Sequence, residues 1–134
     1  MGLKTEKIGS QKWKLLEDVQ VSSLGYCINV QEGFVSDMAS IPKLFWNLIG
    51  SPFTGRYTEA ALVHDALYAS EALPRKEADG VFLELMAQAG VSYWKRYSMY
   101  WAVRLGGGGL VWKKHKPEDV NIARMYIDVK KFTW

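Results

Sequence analysis

The residue types best suited to chemistry cluster in one stretch of this 134-residue chain: His64, Asp65, Tyr68, Arg75 and Asp79. Tyr57, Ala61, His64 and Tyr68 follow a 4-3-4 spacing, which places them in one stripe on a helix. Arg75, Asp79, Phe82 and Met86 repeat that spacing further along. Only a few residues around Ala72 separate the two stripes, a connection short enough to make the helices antiparallel neighbours. In such a pair, residues equally far from the centre of the connection lie at one level. His64 then faces Asp79, Tyr68 faces Arg75, Ala61 faces Phe82 and Tyr57 faces Met86. A histidine that donates to a carboxylate has one ring nitrogen fixed and the other positioned to accept a proton. That is a general base held by an orienting acid, with His64, Asp79, Tyr68 and Arg75 as the catalytic set. Asp65 lies about 100° around the helix from His64, on the flank of the same site, where it can bind a cation. The competing reading is a structural network of His–Asp and Tyr–Arg pairs that fixes helix register.

The elements that position these side chains are legible from punctuation. Thr58 caps a helix running to about Ala69, Pro74 opens the next, and that one stops at Gly90. Ser92 caps a third helix through Arg104, ended by Gly106–Gly109. Upstream, Trp13–Val21 and Tyr26–Val30 read as strands, and Gln31-Glu32-Gly33 turns the chain into Phe34 and Val35. Ser36–Trp46 changes character: Ser40 caps a short helix with Pro42 in its first turn, and Gly50, Pro52 and Gly55 mark a loop. The expected class is α+β, a small N-terminal antiparallel sheet packed on a helical body. Trp94, Tyr97, Trp101 and Arg104 form a stripe on the third helix that reads as core, with an aromatic surface for membrane or glycan contact as the alternative.

Composition sets the outer limits. Hydrophobic residues make up 49% and charged residues 23%, a globular balance. No apolar run approaches the ~20 residues of a membrane span, and the start of the chain lacks the apolar core of a signal peptide. Synthesis in a cytoplasm is expected. Cys27 is the single cysteine, so an internal disulfide and a multi-cysteine zinc site are excluded, and it reads as a small buried residue. Residues 1–104 carry 11 basic and 11 acidic side chains, whereas residues 105–134 carry six against three. The expected organisation is one α+β domain over 1–105 and a glycine-hinged basic tail over 106–134, with a turn at Lys116-Pro117 and a strand over Arg124–Val129. The glycine run is no phosphate loop, since neither Lys-Ser nor Lys-Thr follows it, and no specific nucleic-acid motif accompanies the basic tail.

Two resemblances add to this reading. From Gly33 to about Gly106 the chain resembles a family of phage and bacterial proteins of unknown function, DUF1353. The matching residues are Gly33-Phe34, Ser36-Asp37, Ala39-Ser40-Ile41-Pro42, Trp46, Ala60-Ala61, His64-Asp65, Leu67-Tyr68, Arg75, Ala78-Asp79, Phe82, Met86 and Gly90-Val91. The resemblance implies a phage or prophage origin and assigns no activity. In addition, His64-Asp65-x-x-Tyr68 with Asp79, Phe82 and Met86 is similar to the catalytic helix pair of prokaryotic phospholipases A2. That similarity implies that His64 activates water, Asp79 orients His64 and Tyr68 supports the Asp79 carboxylate. It also implies that Asp65 binds a calcium ion. The chain departs from that family in lacking its disulfides and a Gly-rich calcium loop, and Asp37 is the oxygen ligand that would stand in.

Three functions follow as expectations. The first is a small metal-assisted hydrolase acting on an ester or amide of the bacterial envelope. The second is a non-enzymatic phage particle, tail or assembly component, docking on a phage structural or host-envelope partner and virion-associated. The third is an intracellular phage effector that binds a small host molecule.

Overall fold

A computed structural model describes residues 5–9, 12–36, 58–110 and 116–131. In chain order the described elements are β1 (Thr5–Gly9), β2 (Lys12–Leu15), β3 (Val19–Ser23), β4 (Tyr26–Val30) and β5 (Val35–Ser36). They continue with α1 (Thr58–Ser70), α2 (Arg75–Gln88), α3 (Tyr93–Leu110), α4 (Pro117–Arg124) and β6 (Ile127–Lys131). The class is α+β, as expected. The strands form two antiparallel three-stranded sheets, ordered β1-β2-β5 and β3-β4-β6.

The single strand expected over Trp13–Val21 is two strands belonging to different sheets, separated at residues 16–18. Strand β3 reaches β4 through a two-residue turn in which Leu24 and Gly25 both have positive φ, at 51° and 81°. That geometry matches the right-handed twist of a hairpin. The leucine at the tip reaches α2, where a Cβ on Gly80 would come within 3.2 Å of its Cδ1. A side chain at position 80 would require the exposed Leu24 side chain to give way by a few tenths of an ångström.

Helix α1 is the centre of the molecule. Every residue from Ala60 to Tyr68 is buried, because α2, α4, β5 and β6 all pack around this helix. A helix enclosed on all sides has little need of an amphipathic pattern. The same enclosure explains why His64 and Asp65, though turned about 100° apart, are both buried. Ala61 and Phe82 are likewise fully buried in the core that α1 shares with α2. Leu15, Ile28, Val30 and Phe34 supply the side of the core contributed by the strands. Helix α2 stops where expected: Gly90 takes φ of 83°, and the N–H groups of Gly90 and Val91 donate to the carbonyls of Ala87 and Met86.

The C-terminal expectation requires correction. Gly106–Gly109 do not end the third helix, since α3 runs on through Leu110. Each glycine lowers local helix stability by about 1 kcal/mol, and contacts elsewhere along a helix readily offset such a cost. Nor do residues 117–131 form a separate tail. Helix α4 packs on α1, burying Val120 and Ala123, and β6 pairs with β4 from Tyr26↔Lys131 to Val30↔Ile127. Arg124 Nε donates to the Ser70 carbonyl at 2.7 Å, closing the C-terminal end of α1. The segment read as a turn at Lys116-Pro117 opens a helix, and the strand lies at Ile127–Lys131 rather than Arg124–Val129. Cys27 is half-buried rather than buried and accepts a hydrogen bond from Gln20 Nε2.

Candidate functional site

The connection between α1 and α2 is short, Glu71 to Pro74, and Glu71 takes a left-handed φ of 51° to reverse the chain. Level matching holds for His64 and Asp79 at the atomic scale. His64 Nε2 lies 2.7 Å from Asp79 Oδ1, and both side chains are fully enclosed. The Tyr68 hydroxyl donates to the same Oδ1 at 2.6 Å. The His64 ring stacks on Phe82 with centroids 4.5 Å apart and leans on Tyr68 at 4.3 Å, so its plane is fixed by packing as well as by the carboxylate.

The second carboxylate oxygen of Asp79 faces arginine. Arg104 Nη1 donates to Oδ2 at 3.0 Å, and Arg75 Nη1 stands 3.8 Å from it. Arg75 is occupied chiefly with the C-terminal part of α3, donating to the carbonyls of Arg104 at 3.0 Å and Val103 at 3.4 Å. Asp79 therefore gathers hydrogen-bond donors from α1 and α3 and an ion-pair partner from its own helix. Arg104 was expected in an aromatic core stripe and belongs to the site instead. The signal was present in the sequence: the midpoint between Asp79 and Arg104 falls inside the connection of residues 89–92, so level matching on the second helix pair puts these two opposite each other.

Burial alone would push the Asp79 carboxyl up. The hydrogen bond and charge of His64 outweigh it, together with hydrogen bonds from Tyr68 and Arg104, and hold the carboxyl below its usual range. Asp79 is thus an ionised acceptor, which requires His64 Nε2 to carry the shared proton and to donate. Burial first, and the Asp79 carboxylate second, push the Tyr68 phenol well above its usual range, with the Arg75 guanidinium opposing them. Tyr68 is a neutral donor at any physiological pH. The arrangement fixes Nε2 of His64 as the donor to Asp79.

Asp65 occupies a different flank of α1. Its Oδ2 accepts a hydrogen bond from Ser36 Oγ at 2.6 Å, and both side chains are buried. This joins α1 to β5 at the point where the Ser36–Trp46 segment begins. Asp37, Ser40 and Tyr57 lie outside the described residues. Among the described residues no group of three or more His, Cys, Asp or Glu side chains could hold a metal ion. Asp65 and the Ser36 hydroxyl are two oxygens where calcium takes six to eight, so this donor set does not by itself make a calcium site. Also among the described residues, no helix is long and apolar enough to cross a membrane.

Comparison with known proteins places this geometry in a family. "Uncharacterized protein y4jT" of Sinorhizobium fredii (strain NBRC 101917 / NGR234) is 38% identical over 78 residues, covering 58% of this chain and 23% of that protein. The chain thus spans less than a quarter of that relative's length. No solved structure matches the chain. The model of the family described as "Protein of unknown function (DUF1353)" matches residues 13–103, which include both helices of the His64–Asp79 pair and all but the last residue of the three-helix cluster around it, and the chain belongs to that family.

Proposed function

We propose that the protein is a small hydrolase of phage origin in which His64 is the general base, acting on an ester or amide of the bacterial envelope. The observation that carries this reading is the 2.7 Å contact of His64 Nε2 with Asp79, a carboxylate oxygen that also accepts from Tyr68. A fixed Nε2–H directs basicity to Nδ1, and an ionised Asp79 stabilises the imidazolium formed when Nδ1 takes a proton. In the step this supports, a water oxygen attacks the substrate carbonyl as Nδ1 removes its proton. The tetrahedral intermediate then expels the alcohol or amine, which receives that proton from the imidazolium. Tyr68 and Arg104 act through Asp79 as positioning residues. The similarity to the phospholipase A2 helix pair, carried by His64-Asp65, Tyr68 and Asp79, supports the same assignment. Asp65 as a cation ligand, with Asp37 beside it, belongs to this reading through the similarity alone, and no step above passes through a cation.

One observation favours a second reading, in which the network stabilises a phage particle or assembly component and catalyses nothing. His64, Tyr68 and Asp79 are each 0% exposed, and a base must meet its substrate. An assay separates the two. Wild type and Asp65→Asn are incubated with phospholipid vesicles and with purified peptidoglycan, with calcium and with a chelator. The hydrolase reading predicts cleavage of one substrate by wild type, lost on chelation and, at a temperature where both proteins are folded, in Asp65→Asn, whose thermal midpoint falls because a neutral side chain replaces the charged acceptor of the buried Ser36 bond. Cleavage that ignores calcium would retain His64 as base and remove the cation. Absence of cleavage on both substrates by folded wild type would overturn the enzyme and leave the structural role.

A further inference from the structure

Helix α3 turns one face inward through Met99, Ala102 and Val103, and among the described residues its opposite face is exposed. Trp94 and Trp101 are each 55% exposed and Leu105 is 83% exposed. With Tyr97, these residues recur at seven- and four-residue intervals and fall within an arc of about 80° on the helix. The stripe expected as core is therefore an apolar surface, and only Arg104 of that set turns toward the interior. Tyr93, 67% exposed, extends the face at the helix start.

The three charged side chains of α3 itself, Lys95, Arg96 and Arg104, are all cationic. Between Glu84 and Glu118 the chain carries six Lys or Arg residues and no acidic one. Two of them are seated among the rings: Lys95 Nζ lies 5.7 Å from the Trp94 ring, and the Arg96 guanidinium lies 5.2 Å from Tyr93 and 5.9 Å from Tyr97.

We propose that the outer face of α3 docks on the surface of an anionic lipid membrane, with Trp94, Trp101 and Leu105 entering the headgroup–acyl boundary and Lys95 and Arg96 meeting lipid phosphates. Tryptophan and tyrosine sit preferentially at that boundary, and a helix lying in it combines an apolar stripe with flanking cations. Charge decides against a second copy of the chain, because two such faces would bring like charges together. Leu105 decides against a single-stranded nucleic acid, which is held by stacking on aromatic rings and gains nothing from an exposed aliphatic side chain. Arg104, committed to Asp79, is also withdrawn from phosphate binding. This inference does not depend on hydrolysis, since it uses neither His64 nor Asp79.

The test is co-sedimentation of the full chain with vesicles of ether-linked phosphatidylglycerol, which cannot be hydrolysed at an ester, and with vesicles of phosphatidylcholine. The variants are Trp94→Ser/Trp101→Ser and Lys95→Gln/Arg96→Gln, all at exposed or half-exposed positions. The proposal predicts binding to the anionic vesicles that weakens about tenfold in each double variant, and that falls with added salt for wild type. Binding to phosphatidylcholine is expected to be weaker by a similar factor. Equal binding by wild type and the tryptophan variant would overturn it. So would the absence of vesicle binding, with or without capture of a single-stranded oligonucleotide.

Discussion

Asp79 is the residue on which the cluster depends. A carboxylate taken out of water has to be compensated, and here two donors from α1 meet one oxygen while two arginines face the other. The consequence for acid stability has a definite direction. Because the folded protein holds the Asp79 carboxyl below its unfolded value, the native state gains stability above the ordinary carboxylate range, and loses it as pH falls through the depressed folded value. Thermal midpoints measured from pH 7 down to pH 2 should fall more steeply below about pH 4 for wild type than for Asp79→Asn. Parallel profiles would mean that Asp79 carries no such linkage. Of these partners, His64, Tyr68 and Arg75 were readable from helical spacing and a short connection, since both are local properties of the chain. Arg104 was not read because its neighbours are Trp94, Tyr97 and Trp101, and a stripe of aromatics at helical spacing suggests core. Which face of a helix is covered depends on the other elements, and the spacing alone does not identify it.

At the level of elements, α1 is held from every side, and part of the enclosure comes from the end of the chain. Helix α4 and strand β6 bring Val120, Ala123, Ile127 and Val129 to the core, and Tyr126 packs over Gly33 and Phe34. Gln31 N–H donates to the Tyr126 carbonyl at 2.7 Å, so the turn after β4 is also tied to this segment. Removing residues 111–134 should therefore abolish cooperative unfolding, because β4 loses one of its two partner strands and α1 loses a covering helix. Circular dichroism during heating would check this, and a truncated chain that melts cooperatively near the wild-type midpoint would contradict it. The sequence held signals for α4 that the turn reading of Lys116-Pro117 passed over. Pro117 sits at the first helical position, Glu118 and Asp119 follow in the first turn, and Arg124 lies in the last. The glycine run misled for the opposite reason: low propensity is a local quantity, and α3 continues through it.

Across the whole molecule, α3 joins the two features of interest. Its inner side delivers Arg104 to Asp79, and its outer side presents tryptophans and cations to solvent. A membrane-seated α3 would thus stand one helix away from the candidate base, which fits an envelope substrate without requiring one. The hydrolytic role of the His64–Asp79 pair is most directly tested by initial hydrolysis rates on phospholipid vesicles and on peptidoglycan, for wild type and Asp79→Asn at a temperature where circular dichroism shows both folded. An asparagine keeps the size of the side chain but has no charge with which to stabilise the imidazolium. The account predicts hydrolysis of one substrate by wild type and a drop of about 10⁴-fold in kcat for the variant, as when the orienting acid of a catalytic triad is neutralised. Equal rates for the two proteins, or no hydrolysis by either, would contradict it.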